Sequence, residues 1–219
     1  MKVCTDSCLF GAWIAEKIER KEIDPKRILD IGTGTGLLSL MIAQKTSAKT
    51  DAIEIDENSF QQTKENFMES QWNQNLQVFH GDIKNWILPE KYDLIISNPP
   101  FYENDLRSSN QNKNKAKHHD TLTLKELILS IKINLTNDGN FGVLLPFHRI
   151  QFFTNLAIQN DFFISDELLV KQTPNHPFFR GILFFGKQKK SFTSKELIIK
   201  NNEGNYTEEF NYLLKDYYL

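Results

Sequence analysis

The apolar run Arg27-Ile28-Leu29-Asp30-Ile31 breaks off at Gly32-Thr33-Gly34-Thr35-Gly36, and residues 36–44 then carry apolar side chains at helical spacing. A short buried strand that turns through glycines directly into a helix is the opening of a strand–helix–strand unit. Parallel strands need such crossovers, so the feature predicts an α/β fold. The rest of the chain keeps the rhythm. Residues 50–55 alternate like a strand, and residues 57–70 place Phe60, Phe67 and Met68 at helical intervals. Leu76–His80 predicts a third strand, and Tyr92–Ser97 a very apolar fourth. That fourth run ends at Asn98-Pro99-Pro100, where prolines cannot continue a central strand. A helix over 122–135, a strand over 139–146, a helix over 150–159 and strands over 162–171 and 181–187 complete the pattern, the last two as a hairpin-like pair at the sheet edge. The expectation is a Rossmann-like α/β fold with a seven-stranded, mostly parallel sheet and helices on both faces. At 219 residues the chain suits one domain, spanning 1–219. Ligands in such sheets bind at the carboxyl ends of the strands.

Those ends carry acids. Asp30 lies two residues before Gly32 in a GxGxG loop, which differs from the GxGxxG loop that cradles a pyrophosphate. Glu54 closes the second strand about twenty residues after the glycine loop, where a carboxylate grips ribose hydroxyls. Asp82 follows the third strand, where an acid commonly meets an adenine amino group. Taken singly, each acid reads as a solvated strand end. Taken together around Gly32, Thr33, Gly34 and Gly36, they point to S-adenosylmethionine, a ligand with an ammonium, a ribose and an adenine but no phosphate. Asp30 would face the ammonium, and the glycines would let the backbone approach the ligand.

Asn98-Pro99-Pro100-Phe101 carries the most chemistry. An exocyclic aromatic amine is a poor nucleophile because its lone pair is delocalised. The Asn98 amide oxygen and the Pro99 carbonyl can accept hydrogen bonds from that NH2. They thereby aim the lone pair at the methyl carbon and stabilise the charge developing on nitrogen. Asn98 is no Brønsted base, so catalysis would rest on positioning and electrostatics, with direct in-line transfer. Phe101 and Tyr102 offer faces on which an extruded base can stack. The bland alternative is a strand ended by a Pro-Pro turn. The tetrapeptide resembles the NPP[YF] motif of methyltransferases acting on planar amino or amide nitrogens.

That motif leaves several amines open: adenine N6 in DNA or RNA, guanine N2 in ribosomal RNA, and the glutamine amide of release factors. The opening Met1-Lys2-Val3-Cys4-Thr5-Asp6-Ser7-Cys8-Leu9-Phe10-Gly11-Ala12-Trp13 resembles the MKVGTDGxLLGAW opening of bacterial tRNA1(Val) adenine-37 N6-methyltransferases. Cys4 and Ser7 stand where that pattern has glycine. With GTGTG, AIEID and NPPF in order, the resemblance covers most of the chain. It implies methyl transfer to adenine 37 of tRNA and places Thr5 and Asp6 at the cofactor and target-base pocket. A non-catalytic cofactor-binding subunit is the alternative of another class.

A net charge of −2 gives no global field for nucleic acid, so RNA contacts must be local. Arg107, Lys113, Lys115, Lys117, His118 and His119 cluster in a long polar stretch after the catalytic motif, and Arg180 lies beside Phe178 and Phe179. Each has a plain alternative as a solvated surface charge. The histidines lack partners at metal-ligand spacing, and Cys4 and Cys8 alone make neither a metal site nor a disulfide framework, so no metal is expected. No run is long enough to span a membrane, and residues 1–20 lack the basic-then-apolar layout of a secretory leader. A cytoplasmic, monomeric protein follows as the expectation.

Overall fold

The computed structural model describes residues 4–86, 90–99 and 122–217. Within them the strands are β1 (Arg27–Ile31), β2 (Lys49–Glu54), β3 (Leu76–His80), β4 (Tyr92–Ser97), β5 (Leu135–Pro146), β6 (Phe163–Lys171), β7 (Phe178–Gly186) and β8 (Thr193–Ile198). The α-helices are α1 (Thr5–Glu19), α2 (Leu37–Ala43), α3 (Glu57–Glu69), α4 (Leu124–Asn134), α5 (Ile150–Ile158) and α6 (Glu208–Leu214).

All eight strands form one sheet in the order β3-β2-β1-β4-β5-β7-β6-β8. β1 to β5 are mutually parallel where they pair, β7 runs antiparallel to both β5 and β6, and β8 returns parallel to β6. The sheet therefore has eight strands rather than the expected seven, and the β6/β7 pair is not at its edge. β7 carries Ile182-Leu183-Phe184-Phe185, buried on both faces, which suits a strand flanked on both sides. β8 is the edge instead. Its first four residues are exposed, so the sequence there lacks the apolar alternation of a half-buried strand.

Alternation within the strands divides the core. Ile28, Leu94, Ile96, Leu144, Val170, Ile182 and Phe184 face a layer that includes Phe10 and Ile14 of α1, Met41 and Ile42 of α2, and Phe210 and Leu214 of α6. Leu29, Ile31, Ile95, Phe141, Val143, Leu183 and Phe185 face Leu127, Ile128 and Ile131 of α4 and Phe153 of α5. Phe67 of α3 packs with Ala43 and Ala52, on the α2 side. Helices thus cover both faces, as expected. α4 starts where Thr123 accepts from the Glu126 N–H and Glu126 accepts from the Thr123 N–H, a reciprocal cap at the head of an apolar stripe.

β1 pairs with β2 on one side and β4 on the other. The chain runs outward from β1 to β3 and then returns past β1 to β4. The crevice at the carboxyl ends of β1 and β4 is therefore the switch point at which such sheets bind ligands.

Candidate active site

The glycine loop is held open from three sides. The N–H groups of Gly32 and Thr33 donate to the Ile53 carbonyl at 2.9 and 3.3 Å, and the Gly34 N–H donates to Glu54 Oε2 at 2.8 Å. From α3, Thr63 Oγ1 donates to the Gly34 carbonyl at 2.7 Å and Asn66 Nδ2 to the Thr35 carbonyl at 2.8 Å. Gly32, Gly34 and Gly36 have φ of 70°, 63° and 82°, the left-handed region that side chains resist. A Cβ on Gly36 would sit 2.6 Å from the Phe67 ring, so that glycine serves packing against α3. A Cβ on Gly32 would meet nothing within 4 Å, so that glycine borders open space.

Asp30 lies beneath this loop and is fully buried. Its Oδ2 accepts from Thr33 Oγ1 at 2.6 Å and Ser39 Oγ at 2.8 Å, whereas Oδ1 is buried and accepts from no described residue. Burial pushes its carboxyl up to about 6; the two hydroxyls pull it partly back, and the Glu54 charge adds to the rise. A carboxylate held this way has one oxygen available to a cation and an energetic reason to take one.

Glu54 is also buried, and its Oε1 accepts from the N–H groups of Ile55 and Asp56, each at 2.9 Å. Oε2, which accepts only from the Gly34 N–H among the described residues, keeps acceptor capacity for a hydroxyl, because a carboxylate oxygen can take two donors. Asp82 caps a 3-10 turn over Ile83–Asn85 by accepting from the Lys84 N–H at 3.0 Å, and its other oxygen lies 3.3 Å from Lys84 Nζ. Trp86 closes in on Gly81 beside it, where a Cβ would lie 3.0 Å from the indole.

At the end of β4, Ser97 Oγ donates to the Ile31 carbonyl at 2.9 Å and so ties β4 to β1 immediately before the glycine loop. The next residue, Asn98, is half-buried, and Pro99 is buried. Asn98 Nδ2 donates to Ser7 Oγ at 2.9 Å, while Asn98 Oδ1 is buried and accepts from no described residue. The first turn of α1 thus reaches the catalytic motif. Thr5 opens that turn and is half-buried. Asp6 Oδ1 accepts from the Ser7 N–H, and Asp6 Oδ2 accepts from Arg180 Nε at 2.7 Å. Arg180 also donates to the Phe179 carbonyl and lies 5.4 Å from the Phe179 ring centre. The arginine singled out as an RNA contact braces α1 against β7.

Of the sequence-predicted residues, Asp30, Gly32, Thr33, Gly34, Gly36, Glu54, Asp82, Asn98 and Pro99 lie at or just past the carboxyl ends of β1 to β4, and Thr5 and Asp6 lie on the helix that touches Asn98. Pro100, Phe101, Tyr102, Arg107, Lys113, Lys115, Lys117, His118 and His119 fall outside the described residues. Sequence reasoning missed Ser7, Ser39, Thr63 and Asn66. Thr63 left one trace, a polar residue four before Phe67 on the buried face of α3. Among the described residues no group of three His, Cys, Asp or Glu side chains is placed to hold a metal ion, and no helix is long and apolar enough to cross a membrane.

The set fits S-adenosylmethionine. Asp30 offers an ammonium a buried oxygen that has no partner among the described residues, Gly32 leaves room above the loop, and Glu54 and Asp82 offer acceptors at the next two strand ends.

Comparison with known proteins agrees with this geometry. Residues 12–141 match the family model described as methyltransferase small domain. A protein from Christiangramia forsetii, named tRNA1(Val) (adenine(37)-N6)-methyltransferase, is 38% identical over all of this chain and 91% of its own length. Proteins of the same name from Pseudoalteromonas translucida and Proteus mirabilis are 37% and 36% identical over the whole chain and 92% and 88% of their own lengths. Among solved structures, a predicted O-methyltransferase from Agrobacterium tumefaciens aligns over 95% of both chains with a TM-score of 0.71 at 13% identity. A putative RNA methyltransferase from Pyrococcus horikoshii aligns over 82% of both with a TM-score of 0.59 at 19% identity. These two show the shared fold.

Proposed function

Since the chain belongs to the family of bacterial tRNA1(Val) (adenine(37)-N6)-methyltransferases, we propose that it methylates the N6 amine of adenine 37 in the anticodon loop of that tRNA. S-adenosylmethionine supplies the methyl group, carried on an electrophilic sulfonium. Asp30, Gly32, Thr33, Gly34, Glu54 and Asp82 hold it, with Asp30 facing the ammonium, Glu54 the ribose and Asp82 the adenine.

The observation that carries the reading is Asn98 Oδ1, a buried acceptor with no described partner, at the end of β4 beside the glycine loop. A buried amide oxygen left this way costs roughly 1–3 kcal/mol until a donor arrives. The exocyclic NH2 of adenine is such a donor. Asn98 Oδ1 and the Pro99 carbonyl accept its two hydrogens, hold the nitrogen with its lone pair toward the methyl group, and stabilise the positive charge that grows on nitrogen during attack. The amine proton then leaves to water, because neither acceptor is basic enough to keep it. Phe101 and Tyr102 supply stacking faces for the extruded base, and Arg107, Lys113, Lys115, Lys117 and His118 contact phosphates of the anticodon stem-loop. The enzyme acts as a monomer in the cytoplasm, where its tRNA is.

The test is transfer of tritium from labelled S-adenosylmethionine to total tRNA from a strain lacking the gene, followed by digestion to nucleosides. Label in N6-methyladenosine, reduced at least about 100-fold in Asn98→Ala, is the expected result. Label that persists on tRNA1(Val) lacking adenine 37, or that appears only in ribosomal RNA or a protein, sinks the assignment.

A further inference from the structure

The geometry points to Ser7 as a positioning residue that anchors the plane in which the Asn98 amide meets the target amine. The inference rests on the functional reading above and concerns a residue that the motif does not contain.

A primary amide has nearly the same shape in its two orientations, but they are chemically opposite. One presents an acceptor to the amine, and the other presents NH2 against NH2. A serine hydroxyl can accept from Nδ2 or donate to Oδ1, so the target NH2 selects the acceptor end, and what Ser7 adds is a fixed plane for the amide. Ser7 Oγ accepts from Asn98 Nδ2 at 2.9 Å, and this leaves Oδ1 as the end without a described partner. The bond has a second effect. A donor that is already engaged polarises the amide and makes its oxygen the better acceptor for an amine becoming positive.

Ser7 itself sits on a braced element. Its N–H donates to Asp6 Oδ1 at 3.0 Å, and the other Asp6 oxygen is gripped by Arg180 of β7 at 2.7 Å. The next three residues of α1, Cys8, Leu9 and Phe10, are buried at 3%, 0% and 0% exposure, so the helix cannot drift from the sheet. The family opening quoted above has glycine at this position, which offers no hydroxyl.

The experiment compares Ser7→Ala, Ser7→Gly and Ser7→Thr with the parent in steady-state transfer to tRNA, beside thermal melting and the exchange rate of the Asn98 side-chain NH2 measured by 15N NMR. The expected result is a kcat lowered roughly threefold to tenfold in the alanine and glycine variants. KM for tRNA and for S-adenosylmethionine stays as in the parent, the threonine variant recovers most of kcat, and Asn98 NH2 exchange speeds up only where the hydroxyl is gone. A parent-like kcat in Ser7→Ala, a loss confined to KM, or a threonine variant as slow as alanine overturns the inference. If the parent leaves tRNA unlabelled, the functional reading has failed instead. The NH2 exchange rates still decide whether Ser7 holds Asn98: equal rates in parent and Ser7→Ala reject it.

Discussion

A methyl group added at Gly32 and one added at Gly36 would meet different surroundings, and the difference separates binding from folding. Both positions carry positive φ, so either substitution costs about 1–2 kcal/mol of backbone strain. At Gly36 the new Cβ also strikes the Phe67 ring at 2.6 Å, whereas at Gly32 it enters open space. Gly36→Ala should lower the melting temperature by roughly 10 °C or more. Gly32→Ala should lower it by less than half as much yet weaken S-adenosylmethionine binding by about tenfold or more, as titration calorimetry would read. Asp30 makes a second prediction. Burial raises its folded-state carboxyl from 3.8 to about 6, so between those values the folded protein holds a proton that the unfolded chain has released. The stability this confers is present below about 4 and is lost as pH rises through about 6, on the order of 3 kcal/mol in all. The melting temperature of the parent minus that of Asp30→Asn should therefore fall from pH 4 to pH 7. Affinity for S-adenosylmethionine should run the other way and weaken as pH drops below about 6, because its ammonium needs the carboxylate. Asp30, Glu54 and Asn98 were legible because their chemistry sits in short motifs next to strand ends. Ser7 was not, because its partner lies 91 positions away, and Thr63 and Asn66 reach the glycine loop across 29 and 31 positions.

The elements whose apolar residues keep a clear period were the ones sequence reasoning found. α1 escaped because it is apolar almost all round: Cys8 to Ala15 are buried without a break, so no polar face marks it as a helix. β8 escaped because it buries little beyond Leu197, and α6 because seven residues carry a weak signal. The one buried charge of α1 shows how the helix is seated. Lys17, 7% exposed, places Nζ 3.0 Å from Glu22 and 3.1 Å from Asp166 of β6, and 4.6 Å from the Trp13 ring centre. Removing Asp166 leaves the ammonium to a half-exposed Glu22 and the rings of Trp13 and Phe184. Asp166→Ala should cost about 2 kcal/mol in urea denaturation, less than the 3–5 kcal/mol of a fully buried pair because Asp166 keeps some solvent. The unfolding slope should stay that of the parent.

Across the whole molecule, the strand–helix alternation predicted the parallel half of the sheet well, β1 to β5 with their crossovers, because right-handed βαβ connections allow few alternatives. It predicted the other half poorly, since nothing local distinguishes a hairpin at the edge from β7 slotted between β5 and β6. Charge is a property of the same scale. With a net charge of −2 the molecule has no overall attraction for RNA, so tRNA binding should depend on few phosphate contacts. Replacing Lys113, Lys115 and Lys117 together by glutamate should raise KM for tRNA at least about tenfold and flatten its salt dependence, with S-adenosylmethionine affinity unchanged. The contact between α1 and α6 reaches furthest in its consequences. Phe210 and Leu214 close the core over Ile14 and Ile18, and Lys45 clamps Glu19 and Asp216 at 2.9 and 2.6 Å. The ribosome delivers α1 before every other described element and α6 after them all. At about 5–20 residues per second, the helix that carries Ser7 waits on the order of ten seconds or more for its cover. Throughout that interval α1 can settle on α2 and the growing sheet, but it lacks the cover of Phe210 and Leu214 and leaves an apolar surface that a chaperone can hold.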